Sequence, residues 1–583
     1  MIKSSIIHRA TREFCYPICE GTFRIRIATA QNDVNSITLH TIDKYLDPVK
    51  KDTRETFTMK KIASDGLYDY FETEVNLDLL CLRYYFEIED ESGEIAYLGD
   101  DHFFDYKLTD IEDMYDCPQT LREEGNPQVP AWAEGKVVYQ IFPTRFAAGE
   151  DVPDELWYKT PLEYNDKLGG NLKGIINKLD YLKDLGVDVI YMTPIFKADT
   201  QHKYDTIDYY EVDPELGTAD DLKELVKKAH ERNMYIMLDG VFNHTSADFF
   251  AFRDVLEKGE NSDYKDWFYI KEFPIFRGTR QDLPNYKTFG YYGGMPKLNL
   301  SNPKTAEYIR NVVCHYLRDF DIDGWRMDVA DEIGHSFWKE LRTAARRVKP
   351  DALIVGEDWH LCGDFLEGDE WDSCMNYAWY KALGMLYGGN GSLKEFYGRI
   401  GQVRGRYHSN VFQVLWNLMD SHDTPRMYSD MCSEDEDKFI SAAALTLLFP
   451  GMPFIYYGDE AGMKGSNDPD NRRGMLWKKE LRNDKITEAY RELIAFRHVH
   501  PQLIRDIPEI EILDEEKRLM ILRQEGLRMF FSLNSEQIDI TEYTEKANAD
   551  DSAILINRGL SLEATKKTLS GYGFMIEKET AQM

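Results

Sequence analysis

Tyr235-Ile236-Met237-Leu238-Asp239-Gly240-Val241-Phe242-Asn243-His244 is an apolar run that breaks into polar residues at its C-terminal end. Its first half reads as a buried β-strand. Seven further runs have the same look, at 137–142, 188–193, 324–328, 353–357, 373–376, 413–420 and 454–457. Between them lie stretches such as 171–185, 219–232, 303–319 and 435–448, whose apolar positions recur at the i, i+3, i+4 spacing of an amphipathic helix. Strands alternating with helices imply a parallel sheet covered by helices, and eight strands close into a (β/α)8 barrel. The spacing predicts a last barrel helix over 486–497.

On either side of this region the pattern changes to alternating β-type runs, as in Thr22-Phe23-Arg24-Ile25-Arg26-Ile27-Ala28 and Leu519-Met520-Ile521-Leu522-Arg523. Period-two runs separated by polar turns are the signature of β-sandwiches. The expected organisation is therefore an N-terminal β-sandwich over 1–123, a barrel over 124–502 and a C-terminal β-sandwich over 503–583, with 121–129 as a connector. After the third strand, residues 243–300 replace a short loop with aromatic and Gly-rich stretches, Trp267-Phe268-Tyr269 and Phe289-Gly290-Tyr291-Tyr292-Gly293-Gly294. A long insertion at a strand's C-terminal end is a candidate cleft wall, read here as an inserted domain.

The 583 residues carry 103 acidic and 70 basic side chains, a net charge of −33 that repels phosphate backbones and anionic lipid heads and argues against nucleic acid as a partner. A hydrophobic fraction of 43% excludes whole-chain disorder. The most apolar stretch, 442–457, is interrupted by Pro450-Gly451 and Pro453, too broken for the ~20-residue apolar span a bilayer needs, so no membrane is expected. The N-terminus shows no secretory h-region, and eight scattered cysteines without a CxxC pair suggest reduced thiols, so the expected location is the cytoplasm.

In a (β/α)8 barrel the chemistry sits at the C-terminal ends of the strands. Four polar clusters fall there: Asp239-Gly240-Val241-Phe242-Asn243-His244, Gly324-Trp325-Arg326-Met327-Asp328, Gly356-Glu357-Asp358-Trp359-His360 and Asn417-Leu418-Met419-Asp420-Ser421-His422-Asp423. Strand side chains alternate faces, so Arg326 and Asp328 point the same way, and a guanidinium beside a carboxylate is expected to keep it ionised. An ionised carboxylate and a second, protonated one are what glycosidic cleavage requires, and Asp328 and Glu357 fit those roles. One such cluster alone would be a helix cap. Four in order along one barrel are not coincidence.

These clusters resemble the four motifs of the α-amylase superfamily, glycoside hydrolase family 13. The likeness extends to Tyr139-Gln140-Ile141-Phe142-Pro143, His202-Lys203-Tyr204-Asp205 and Asn467-Asp468-Pro469-Asp470-Asn471-Arg472, while Met295-Pro296-Lys297-Leu298-Asn299 is similar to the neopullulanase, cyclomaltodextrinase and maltogenic amylase subfamily. The resemblance implies Asp328 as nucleophile, Glu357 as general acid/base and Asp423 as a third carboxylate gripping sugar hydroxyls. It further implies substrate contacts from His202, Tyr204, Asp239, His244, Phe289, Arg326, Trp359, His422, Asp468 and Arg472, with Tyr204 and Trp359 as stacking platforms.

The activity so implied is retaining hydrolysis of α-1,4 bonds in cyclodextrins, pullulan and maltooligosaccharides, with some transglycosylation; α-glucan oligosaccharides are the expected partners, together with a second copy of the chain in a homodimer. A glucanotransferase or isomerase of the same fold, or a non-catalytic sugar-binding protein, are the alternatives. No cofactor is required. Relatives commonly carry a calcium loop after the first strand, but here it reads Arg145-Phe146-Ala147-Ala148-Gly149-Glu150, losing oxygen ligands that calcium would use, so no metal ligand is assigned and calcium is kept as an alternative. Asp358 and Asp331 also depart from the family pattern; Asp358, next to Glu357 on a strand, is expected to face away from it.

Overall fold

The computed structural model describes residues 1–19, 21–45, 53–77, 81–117, 129–279, 281–389, 391–505, 507–544, 554–563 and 566–578. The connector expected at 121–129 and the boundary near 123 lie, apart from Val129, outside the described residues. Two compact units are present: one comprises Met1–Gln128, Leu361–Asp369 and Ser392–Phe412, the other Val129–His360, Glu370–Gly391 and Gln413–Met583.

The first unit is a two-sheet sandwich. One sheet orders Cys15–Cys19, Thr22–Ala30, Tyr68–Asn76 and Lys60–Ser64; the other is built on Val34–Asp43 paired antiparallel with Leu82–Asp90. Alternation sends Phe23, Ile25 and Ile27 inward against Ile37, Leu39, Phe86 and Ile88. Arg26, between two inward residues, points the other way, yet it is buried: it pairs with Glu72 at 2.7 Å and donates to the carbonyls of Gly405 and Tyr407 at 2.7 and 3.0 Å. Those carbonyls belong to the helix Leu393–Arg406 and the residue after it. The helix packs so close that a Cβ on Gly401 would come within 2.0 Å of the Ser64 carbonyl oxygen.

In the second unit eight parallel strands, Val138–Ile141 (β1), Val189–Met192 (β2), Tyr235–Gly240 (β3), Gly324–Met327 (β4), Leu353–Gly356 (β5), Ser373–Cys374 (β6), Trp416–Leu418 (β7) and Met452–Tyr456 (β8), lie in the order 6-5-4-3-2-1-8-7. The ring closes through the parallel bridge Met375–Trp416, where the Asn376 N–H donates to the Trp416 carbonyl at 2.8 Å. Its interior is filled by Tyr191, Met237, Val355, Trp416 and Phe454. β7 is shorter than the run 413–420 suggests, because Gln413 and Val414 end the 3-10 helix Ser409–Val414 and Asp420 leaves the sheet to accept the Met427 N–H. The helix expected over 171–185 is two, Leu172–Asn177 and Leu179–Leu185, divided at Lys178.

Residues 243–300 hold the helix Phe250–Lys258 and isolated bridges such as His244–Lys297 and Thr288–Pro296, around an aromatic cluster of Phe252, Phe268 and Tyr286. The C-terminal strands form one six-stranded antiparallel sheet around Lys566–Lys578. Among the described residues no helix is long and apolar enough to cross a membrane, and none of the eight cysteines is joined in a disulfide.

Candidate active site

The strand ends converge on Arg326, which is completely buried in β4. Its Nη1 donates to both oxygens of Asp239 at 3.1 Å and to Asp328 Oδ1 at 2.9 Å, while Nη2 lies 2.9 Å from Glu357 Oε2 as an ion pair. One guanidinium therefore gathers the carboxylates from β3, β4 and β5. Asp328 Oδ2 is left without a hydrogen-bond partner among the described residues. Glu357 is oriented by two N–H donors, from the Val329 backbone at 2.9 Å and the Trp359 indole at 3.2 Å. Val329 reaches that position with φ 46° and ψ 47°, a left-handed conformation that is strained for a β-branched residue.

On the opposite side, Gln140 donates to His422 Nδ1 at 2.7 Å, so the proton of the neutral ring sits on Nε2, which faces the Tyr204 hydroxyl and, at 3.1 Å, Asp423 Oδ2. Tyr204 in turn donates to Asp239 at 3.0 Å, and its ring lies parallel to that of His422 at 5.5 Å. Arg472 donates to the His422 carbonyl at 2.9 Å and to Asp423 at 3.4 Å, and it lies 3.5 Å from Asp468. His244 stacks on Phe289 at 4.7 Å, and both its ring nitrogens are unpartnered among the described residues.

These groups surround a cavity of about 630 Å³. Asp328, Glu357 and Asp423 line it, as do His202, Tyr204, His244, Phe289, Trp359, Asp468 and Arg472; Asp239, Arg326 and His422 lie behind the wall, holding those that line it. The loop bearing His202 and Tyr204 is pinned by buried Lys203, paired with Asp213 at 2.9 Å. Reasoning from sequence passed over Tyr164, which lines the cavity, Tyr191, which donates to Asp239, and Tyr377, which stacks beneath Trp359 at 4.2 Å. Tyr191 and Tyr377 look like any core aromatic in sequence. Gln140, a polar residue inside an apolar strand, carried a readable signal of its own.

The expectation that Arg326 keeps Asp328 ionised requires correction. The guanidinium is in contact as expected, but burial, reinforced by Glu357, Asp239 and Asp423, outweighs it and pushes the Asp328 carboxyl well above its ordinary range. Burial and then Glu357 raise Asp423 to about 7. Asp328 and Asp423 are thereby both held above the ordinary carboxylate range. Burial also lowers His202 to about 4 and His244 to about 3, leaving both imidazoles neutral.

Among the described residues no group of three His, Cys, Asp or Glu side chains could hold a metal ion. In the segment after β1 Arg145 is buried, and the nearby Asn171 Oδ1 caps a helix at the Gly174 N–H, 2.9 Å away. Asp358 accepts from the His360 N–H at 2.7 Å and does not line the cavity, whereas Asp331 and Glu332 do.

A barrel with three carboxylates around a sugar-sized hollow defines a class of glycoside hydrolase, and comparison with known proteins gives the family. The alpha-amylase catalytic domain matches residues 140–500 and the alpha-amylase N-terminal Ig-like domain residues 1–120; the chain belongs to the alpha-amylase family. It is 37% identical over 581 residues to a maltogenic alpha-amylase of Bacillus acidopullulyticus, covering 98% of this chain and 95% of that one. It is 39% identical to neopullulanase 2 of Thermoactinomyces vulgaris, over 87% of this chain and 86% of that one. A solved cyclomaltodextrinase structure superposes with a TM-score of 0.90 at 32% identity, covering 99% of this chain and 100% of that one.

Proposed function

We propose that the protein is a retaining α-glucan hydrolase that cleaves α-1,4 bonds in cyclodextrins, pullulan and maltooligosaccharides and transfers some of the glycosyl units to other sugars. The observation that carries this reading is Asp328: one oxygen is held by Arg326, the other has no donor among the described residues, and the residue lines the cavity. Asp328, as the carboxylate, attacks the anomeric carbon while Glu357 passes a proton to the departing glycosidic oxygen; Glu357 then takes a proton from the water that displaces Asp328 from the anomeric carbon and releases the sugar. Because both carboxylates touch neighbouring nitrogens of one guanidinium, the arrangement favours the short separation of retaining enzymes, ~5–5.5 Å, over the wider gap in which a water attacks directly. Asp423, His244 and Arg472 are read as hydroxyl ligands and Tyr204, Phe289 and Trp359 as ring platforms.

No cofactor enters this mechanism. The relatives' printed names support the substrate range, the unjoined thiols support a cytoplasmic location, and the match to the N-terminal domain supports a homodimer like those of the subfamily.

The test is incubation with β-cyclodextrin, pullulan and starch, following product size and anomeric configuration by NMR. Small oligosaccharides released as the α-anomer are expected, and Glu357→Gln is expected to lower kcat by ~10²–10⁴-fold. β-Anomeric products would overturn retention, and a Glu357→Gln variant as fast as the parent would overturn the acid assignment.

A further inference from the structure

The cavity wall continues outward past Phe289 into two further aromatic residues. Tyr291 is 77% exposed, the most exposed large hydrophobic side chain among the described residues, and Tyr292 is 64% exposed. They stand on a turn of mirror-image geometry, with φ 55° at Gly290 and 60° at Tyr291 and the Tyr292 N–H donating to the Phe289 carbonyl at 3.0 Å. Glycine takes such a conformation freely, whereas a tyrosine is held in the left-handed region at a cost. A ring so exposed adds nothing to the core that would offset this cost, so the fold alone does not account for a tyrosine at 291.

The turn is fixed at the cavity mouth. Met295, which lines the cavity with Phe289, donates its N–H to the Tyr292 carbonyl and accepts the Phe289 N–H, both at 3.0 Å. Behind it the Tyr286 hydroxyl donates to the Gly293 carbonyl at 2.5 Å, and a Cβ on Gly293 would come within 1.9 Å of the Arg277 carbonyl oxygen. Gly294 seats the Tyr292 ring, because a Cβ there would lie 2.3 Å from it. The ring therefore rests on backbone on one side and is open to water over most of its surface. An aromatic face held in this way offers an apolar surface for the C–H face of a sugar and a hydroxyl for its rim.

We propose that Tyr291 and Tyr292 form an accessory glucan platform at the cavity mouth, on which sugar units outside the cavity stack, so that these two residues set a preference for longer chains. The occupant is the substrate chain itself, because the rings continue the cavity wall through the hydrogen bonds that join Phe289, Tyr292 and Met295. The proposal rests on the reading of the cavity as a glucan site and adds to it a determinant of substrate length.

The experiment compares Tyr291→Gly, Tyr292→Ala and Tyr292→Phe with the parent for kcat and KM on maltotriose and maltoheptaose. Tyr291→Gly and Tyr292→Ala are each expected to raise the KM for maltoheptaose about 2- to 10-fold, the size of one lost ring stack, and that for maltotriose by less, with the change in KM and not in kcat. Tyr292→Phe keeps the ring and is expected to match the parent. Calorimetric titration of maltoheptaose into Glu357→Gln, with and without Tyr292→Ala, is expected to show the same weakening in Kd. Equal rises on both substrates, no rise on either, or Tyr292→Phe behaving as Tyr292→Ala would overturn the proposal. Dissociation of a dimer by either substitution in sedimentation would also overturn it, since the rings would then face a second copy of the chain. A parent that cleaves no glucan would instead remove the hydrolase reading, and the calorimetric titration would still decide the platform.

Discussion

Asp423 shows most directly how a residue's environment sets its chemistry. It lies at the cavity wall with 30% of its side chain exposed, and burial together with Glu357 lifts its carboxyl from 3.8 to about 7. A carboxyl raised in the folded state favours folding fully below its unfolded value and loses that contribution as pH rises through the folded one. Ionising the site therefore works against the fold between about pH 4 and 7. Asp423→Asn removes this cost, so thermal melts are expected to show the variant gaining stability over the parent progressively across that interval, then levelling; a difference that did not vary with pH would contradict the assignment. At this scale the candidate residues were legible, since Asp239, Asp328 and Glu357 each end an apolar strand and Asp423 falls in the polar cluster after another. Their protonation was not, because Arg326 beside Asp328 pointed one way and the burial of Asp328 with Glu357, Asp239 and Asp423 nearby points the other.

At the scale of elements, the barrel strands end where their backbones are needed as much as their side chains. Gly356 closes β5 directly before Glu357, and a Cβ there would approach the Trp371 ring to 2.2 Å. Gly356→Ala must displace either the indole or the strand end. A destabilisation of ~1–3 kcal/mol by denaturant titration is expected, together with a fall in kcat as Glu357 moves; an unchanged midpoint and rate would show that the strand end tolerates the shift. The strained Val329 next to Asp328 belongs to the same device, since its left-handed turn is what aims an N–H at Glu357. Strand and helix positions followed from apolar periodicity, and Pro303–Asp319 spans the residues that the spacing marks. The shortening of β7 and the division of the helix at Lys178 did not, because each depends on hydrogen bonds made only once the chain has folded.

For the whole molecule, the homodimer is the prediction that activity assays on one concentration would miss. Sedimentation at micromolar concentration is expected to give about twice the chain mass, and a monomer with full activity on cyclodextrins would defeat it. Nothing in the alternation of residues 21–104 indicated that the sandwich would form one compact unit with Leu361–Asp369 and Ser392–Phe412, far along the chain; Arg26 looked like an outward-facing strand residue and is instead buried against Gly405 and Tyr407. By itself the sequence determined what is periodic or local: eight strands, their helices, flanking β-domains and the acidic residues at strand ends, since side-chain hydrophobicity and backbone preference act over a few residues. Only the tertiary structure decided which of those acids share one guanidinium and which imidazoles stay neutral, because burial and charge proximity are properties of distance in space and not along the chain.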